Sequence, residues 1–513
     1  MKLFSASVFA AIVASHYASA TAHIRAPNVK PRRTSSLLIT PPQQPPLPSA
    51  QQAASASSSA GLNLTDIQGD ILIGMKKNKE LFFFFSVTDA ATFKAKLGSD
   101  ILGLITSTDQ LLANDTQPVT AVNVAFSSTG LKALGITDGL KDPVFEAGML
   151  SNAVSDLSDP GTGNWVPGFV GTSVHGVFLL ASDTIDNVNT EPANIQTILN
   201  GSITEIHRLQ GEARPGDQQG HEHFGFMDGI SNPAVDGFTP PAEIRPGQAL
   251  IPPGIMLLGE ANDTFQNDRP PWAKDGSFLV FRQMQQRAPE FNKFLQDHAL
   301  NMPNMTSEQG ADLLGARIVG RWKSGAPIDL TPLVDDPVLA ADNQRNNNFD
   351  FSDATNQTRC PFSAHIRKAN PRGDLGGINK FPNQHIIRAG IPYGPEVTDA
   401  ERASNSSSTD PSLERGLAFV AYQSNIQNGF VFLQKNWVDN TNFFRPGTGA
   451  DPLIGTNSRN SGTDAPNTPR VVSGLDPNNA TSTIEIDIDF VVSRGGEYFF
   501  SPSLSAIRTV LSV

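Results

Sequence analysis

Cysteine is almost absent. Cys360 stands alone in 513 residues, so no internal disulfide can form and a disulfide-stapled scaffold is excluded. Long apolar runs are absent too: a membrane-spanning helix needs roughly 20 apolar residues, and the longest run, Leu3 to Val13, is about half that. Basic residues are in deficit, 38 Lys and Arg against 50 Asp and Glu, for a formal charge of −12. That balance argues against nucleic-acid binding, which draws its affinity from cations on phosphates, and against a basic membrane-surface protein. Tyrosine is limited to Tyr17, Tyr393, Tyr422 and Tyr498.

The first 60 residues contain no acidic side chain at all. Residues 1–20 read as a secretory signal, with Lys2 at the start, the apolar run after it and Ala18-Ser19-Ala20 for cleavage. Residues 21–60 read as a removable pro-segment: they are rich in Pro, Ser, Gln and Ala, carry Arg25, Lys30, Arg32 and Arg33, and have too little apolar surface to fold. The remainder then holds 33 basic residues against 50 acidic ones, a charge of −17. Sequons begin at Asn63, Asn114, Asn200, Asn262, Asn304, Asn356, Asn405 and Asn479. With the signal, they point to a secreted, extracellular glycoprotein, expected to be a monomer.

What remains is long enough for two packed units. Strand patterns at Leu81 to Val87, Ala121 to Phe126 and His175 to Ala181 alternate with helical spacing at Ala90 to Ile105 and Glu191 to Leu199. The alternation returns with Phe278 to Phe281 and Leu417 to Ala421 extended, and Ala288 to Leu300, Ser307 to Val319 and Gly429 to Val438 helical. A Pro- and Gly-rich stretch, Ser231 to Gly254, separates the blocks, so the domains are expected at 61–230 and 255–513. The polar stretches Asp335 to Thr358 and Glu396 to Ser412 read as surface insertions. The expected class is α+β.

Three constellations carry residues suited to chemistry. Gly225-Phe226-Met227-Asp228-Gly229 flanks one carboxylate with glycines that let backbone approach a flat ligand; an ordinary Asp-Gly turn reads the same way. Cys360-Pro361-Phe362-Ser363-Ala364-His365-Ile366-Arg367-Lys368 holds a His that suits either a buried core position or the axial imidazole of a haem, with Arg367 near enough to meet a propionate. Arg388-Ala389-Gly390-Ile391-Pro392-Tyr393-Gly394 offers a guanidinium before a Pro-Tyr turn.

In that order, the three motifs resemble those of the dye-decolourising peroxidases, in particular the long secreted fungal type. Asp66-Ile67-Gln68-Gly69-Asp70-Ile71-Leu72 resembles the start of that family's mature chain. The likeness runs from about residue 62 to the C-terminus. It implies a pair of ferredoxin-like domains with one haem b held mainly by the second. It further implies His365 as proximal iron ligand, Asp228 as distal acid-base residue, Arg388 as distal cation, and Leu417 and Phe419 as the pair narrowing the distal pocket. Asp451 is the candidate acceptor for the other ring N–H of His365, with Asp439 as rival; Tyr393 and Trp437 match positions used for electron transfer at the surface, while a packing residue in the turn after Arg388 and a core residue of its helix read equally well.

The implied reaction takes hydrogen peroxide and aromatic reducing substrates, bulky dyes and phenolics among them. A carboxylate base has a reference pKa of about 3.9 and a neighbouring arginine lowers it, so activity is expected to peak below about pH 5. Two rivals share the haem: a haem-thiolate peroxygenase using Cys360, and a haem carrier without turnover. His207, His221, Glu222 and His223 could also chelate a divalent metal, but ligands at i and i+2 are a weak signal, and His223, just before the Asp228 motif, better suits support of that motif.

Overall fold

The computed structural model describes residues 32–33, 37–74, 76–113, 117–171, 173–351, 357–456 and 469–513. The expected signal, the start of the expected pro-segment, and the sequons at Asn114 and Asn356 lie outside the described residues. The other six sequon asparagines are all exposed.

The sheet has two halves of like order. In the first, β1 (Lys79–Val87), β2 (Ala121–Phe126), β3 (Gly176–Ser182) and β4 (Ile203–Glu212) lie β4-β1-β3-β2. In the second, β5 (Ser277–Gln286), β6 (Ile387–Arg388) with β7 (Ile391–Tyr393), β8 (Gly416–Gln423) and β9 (Val491–Ser501) lie β9-β5-β8-β7. Each is the ferredoxin-like arrangement. The halves join edge to edge, Tyr393 opposite Gly211 and Phe500 opposite Phe126, all antiparallel, and close the sheet on itself. Closure pairs the edges of both four-stranded sheets except along β6, which has a strand on one side only among the described residues. Residues of both halves contribute to one hydrophobic core.

Consecutive aromatic residues suit a strand covered on both faces. In β1, Phe82 and Phe84 meet Phe281 of β5 with ring centroids 5.0 and 4.8 Å apart. Phe85 instead meets Phe93 of helix α2 (Ala90–Lys96), at 5.7 Å. The helix between β3 and β4, α3 (Ile185–Leu199), buries Val188, Ile195 and Leu199, and Thr184 caps its N-terminus. A second core belongs to the C-terminal half, where α4 (Ala288–Asp297) and α5 (Ser307–Val319) bury Phe291, Phe294, Leu313 and Ile318 against Phe224, Phe226 and Phe490.

Three sequence expectations need correction. Residues 37–60 do fold: α1 (Ala50–Ala60) carries a Ser49–Gln52 capping box and buries Ala53 and Ser57, while Leu37 joins the main core. Their poor apolar content is offset by docking onto a finished surface, where Lys76 Nζ donates to Gln44 Oε1 at 3.2 Å and to Pro45 O at 2.8 Å. Asp335 to Thr358 is not a plain surface insertion, because Asn346 and Asn347 within it are buried. Neither is Glu396 to Ser412, where Glu401 is buried on Arg415 through bonds of 2.9 and 2.8 Å.

Candidate active site

Between the barrel and the second core lies a cavity of about 460 Å³, within the range of ligand pockets at roughly 300–1,000 Å³. His365, Asp228, Arg388, Leu417 and Phe419 all line it. Ile366, Val319, Phe430, Leu453 and Ile454 give it apolar walls.

His365 opens the short helix α6 (His365–Ala369), whose approach depends on Gly320 at the C-terminal end of α5. There φ is +94°, and a Cβ would fall 2.4 Å from Ile366 Cγ1, so a larger residue would push the His-bearing helix away. His365 Nδ1 donates to Asp451 Oδ2 at 2.8 Å, and Asp451 Oδ1 accepts from Leu453 N at 2.8 Å and Ile454 N at 3.0 Å. Burial raises the Asp451 pKa, but His365 and those two N–H groups more than offset it and hold the carboxyl below its ordinary value. Asp439, the rival, turns elsewhere, accepting from Thr456 N at 3.0 Å and Gln434 Nε2 at 3.0 Å. With Nδ1 committed, Nε2 is the atom left to bind a metal, and the side chain keeps 27% exposure.

Asp228 and Arg388 stand together on the same cavity wall, Arg388 Nη1 donating to Asp228 Oδ1. That oxygen also accepts from Gly229 N at 2.6 Å. Gly229 has a φ of +80°, and Gln44 Nε2 lies 2.5 Å from where its Cβ would stand. Burial pushes the Asp228 pKa up, but the Arg388 charge and hydrogen bond and the Gly229 N–H bring it below the ordinary carboxylate value. Asp228 is thus a partly buried carboxylate whose ionised form is favoured by the guanidinium and the Gly229 N–H.

Sequence reasoning missed what supports this loop. Glu222 is half-buried, and its carboxylate accepts from Phe224 N at 2.8 Å, Phe226 N at 2.8 Å and Gln286 Nε2, fixing the chain that leads to Asp228. The sequence pointed to His223 as support for the Asp228 motif, one residue from the Glu222 that makes these contacts. The imidazoles there face different partners: His221 Nδ1 lies 3.3 Å from Gln219 O, His223 Nε2 2.9 Å from Tyr393 O, and His207 Nε2 3.1 Å from Gln283 Oε1. Arg321 and Arg372, also missed, line the cavity with guanidinium groups held by Asn347 Oδ1 at 2.9 and 2.6 Å.

Arg367 does not line the cavity, contrary to the expected propionate contact. Two residues beyond His365 its side chain turns into the protein, donating to Asp374 at 2.6 and 2.7 Å and to Cys360 O at 2.6 Å. Cys360 is buried outside the cavity wall, and burial pushes its thiol up to about 12, which disfavours a thiolate ligand. Tyr393 and Trp437 are not surface residues either, at 4% and 6% exposure. Tyr393 OH donates to Glu414 Oε1 at 2.8 Å. Trp437 stacks on Phe443 with centroids 5.3 Å apart and meets the exposed Phe381 at 6.5 Å.

Residues 66–215 match the family described as the DyP dimeric alpha+beta barrel domain, and residues 221–444 match the Dyp-type peroxidase C-terminal family. The chain belongs to the dye-decolourising peroxidases. It is 97% identical to a dye-decolorizing peroxidase of Mycetinis scorodonius over the whole of both chains. It is 51% identical to one from Auricularia auricula-judae, covering 88% of each. A crystal structure of a decolorizing peroxidase from that second fungus superposes with a TM-score of 0.81, covering 88% of this chain and 100% of that one. An equally similar dye-decolorizing peroxidase had its heme pocket engineered for asymmetric sulfoxidation.

The family implies a haem cofactor, and the cavity fits one. It offers an imidazole with one nitrogen free, apolar walls for a macrocycle, and cationic side chains at its margin. Among the described residues no helix is long and apolar enough to cross a membrane.

Proposed function

We propose that this dye-decolourising peroxidase is secreted and binds one haem b per chain, with His365 as the axial ligand and Asp228 as the acid-base residue for hydrogen peroxide. The observation that carries the reading is a partly buried carboxylate paired with a guanidinium in the same cavity as a histidine whose Nδ1 is already bonded. When bound, haem supplies the redox-active iron that takes two oxidising equivalents from peroxide and passes them on to reductants.

Asp228 takes a proton from one peroxide oxygen and returns it to the other, which leaves as water. Arg388 holds a fixed positive charge where negative charge develops on the departing oxygen, and keeps Asp228 ionised at rest. Asp451, as acceptor from His365, keeps the imidazole electron-rich. Leu417 and Phe419 narrow the peroxide side of the cavity. Bulky aromatic reductants, anthraquinone dyes and phenolics, cannot reach that side. We place their electron route at Trp437, beneath Phe381, and at Tyr393, whose proton Glu414 can accept. Trp437 and His385 line one small cavity, and His385 also lines the large one, so the route from Trp437 inward is short.

The absorption spectrum of the haem-loaded protein, before and after peroxide, tests the reading. A histidine-ligated haem that reacts with peroxide in the wild type, and stays at rest after Asp228→Ala, supports it. An unchanged reaction in Asp228→Ala overturns it.

A further inference from the structure

We propose that Asn232 is the positioning residue of the Asp228–Arg388 pair, holding the arginine's backbone to the loop that carries the aspartate. Its amide bonds Arg388 in both directions: Nδ2 donates to Arg388 O at 2.9 Å, and Oδ1 accepts from Arg388 N at 3.1 Å. The inference rests on the reading of Asp228 and Arg388 as the proton-moving pair.

The need for such a clamp follows from the sheet. Strand β6, which carries Arg388, spans only Ile387–Arg388 and is the end strand beside β8. Backbone groups alternate in direction along a strand. Ala389 N donates inward to Val420 O of β8 at 2.8 Å, so the N–H and C=O of Arg388 face the unpaired side. Unpaired backbone groups in a partly buried site are costly. Asn232 satisfies both with one side chain, standing in for a missing strand at the residue that needs it.

Asn232 also comes from the right place in the chain. It follows Asp228 by four residues, in the same loop. Its own carbonyl accepts from Gln248 Nε2 at 3.0 Å, a bond to the loop backbone that is separate from the side-chain bonds to Arg388. Glu222 fixes the loop ahead of Asp228 and Asn232 fixes it to Arg388 behind. The guanidinium reaches Asp228 through one nitrogen at the end of a long side chain, so its position is inherited from the backbone that Asn232 holds. Space around the amide is tight: a Cβ on Gly74 would fall 2.8 Å from Asn232 Nδ2.

If the clamp is lost, the guanidinium drifts from Asp228 while the burial of the carboxyl remains. The carboxylate's affinity for protons then rises and the base is lost at higher pH than in the wild type. The test uses the haem-loaded protein in three forms, wild type, Asn232→Ala and Gln248→Ala, with the rate constant for peroxide measured across the acid range by stopped flow. Amide hydrogen exchange at Arg388 is measured on the same samples. For Asn232→Ala the expected result is a rate lower by about ten- to a hundredfold, the scale on which a misplacement of about 1 Å acts, an acid limb moved to higher pH, and faster exchange at Arg388. Gln248→Ala loosens the same loop without touching Arg388, and its acid limb is expected to stay in place. An unmoved limb in Asn232→Ala, or limbs moved equally in both variants, overturns the proposal. Failure of the Asp228 reading is distinguishable, because Asp228→Asn then keeps the wild-type rate while exchange at Arg388 still reports whether Asn232 holds it.

Discussion

Replacing Asp228 by asparagine separates proton transfer from geometry. Asparagine keeps the shape and can still accept from Arg388 and from Gly229 N, which bond Oδ1 in the wild type. What disappears is the capacity to take a proton from peroxide and hand it back. General acid–base catalysis by a placed group is worth about 10²–10⁴-fold, or about 2.7–5.4 kcal/mol at 1.36 kcal/mol per tenfold, and the peroxide rate constant is expected to fall by that much. The pH profile gives an independent check of sign. Because Arg388 and Gly229 N hold the Asp228 pKa below the ordinary 3.8, the wild-type base stays ionised through most of the acid range and is lost only as pH falls through that depressed value. In Arg388→Leu the largest single influence, burial, is no longer opposed by the guanidinium, so the acid limb moves upward in pH. Stopped-flow absorbance of the haem-loaded enzyme mixed with peroxide reads both quantities. An Asp228→Asn rate within threefold of wild type, or an Arg388→Leu limb that stays in place, would refute the assignment of the base.

Four further outcomes follow from the same geometry. Asp451→Asn leaves His365 Nδ1 without its carboxylate, so the iron's reduction potential rises and activity falls by about 10–100-fold; spectroelectrochemistry of the haem-loaded variant measures the former. Trp437→Ser, by removing the ring beneath Phe381, lowers turnover of a large anthraquinone dye while sparing a small phenol, and equal losses on both substrates would exclude Trp437 as the route. Glu401→Ala strands the buried Arg415 guanidinium and costs about 3–5 kcal/mol, read by chemical denaturation. Burial pushes the Glu401 carboxyl up, but Arg415 and its N–H donors hold it at about 2, so its stabilisation is present above the ordinary 4.5 and lost as pH falls toward 2. Removing residues 37–60 strips Gln44 from the Asp228 carbonyl, which it meets at 2.9 Å, and uncovers Lys76, now depressed to about 8 by burial. The melting temperature is expected to fall, and an unchanged value would mean the segment contributes nothing to the folded body.

Legibility followed the physics of each signal. Strands with dense apolar or aromatic runs, such as Ala121–Phe126, could be read because every position is buried. Ile203–Glu212 could not: it reads ITEIHRLQGE, with exposed Thr204 and Glu212, and only its pairing with the Phe-rich β1 makes it a strand. Val491–Ser501 carries Gly495 and Gly496 at a bulge, where local pattern suggests a turn. At the site, His365, Asp228 and Arg388 stood in motifs specific enough to be named from sequence, and the structure brings all three to one cavity. Arg367 was misassigned because proximity in sequence says nothing about which side of a one-turn helix a residue occupies. For Trp437 the sequence left a core position and a surface-transfer position both open, and its burial is decided by Phe432 and Phe443 nearby in the chain together with Phe381 from another segment.

The closed sheet explains why the Asp228–Arg388 pair can be so well defined although neither residue sits in a long element. Asp228 lies in the connection between the two halves, and Arg388 on a two-residue strand at the end of the second. Loops of that kind are usually the mobile parts of a fold. Here β7 immediately after Arg388 is the seam at which the halves join, Tyr393 opposite Gly211. His223, just ahead of the Asp228 loop, packs its imidazole against Tyr393 O at 2.9 Å, and Lys77 Nζ reaches Ala389 O at 3.1 Å from the first half. The pair is therefore fixed by the same contacts that close the barrel. A substitution that loosens the seam should reduce peroxide reactivity before it unfolds the chain.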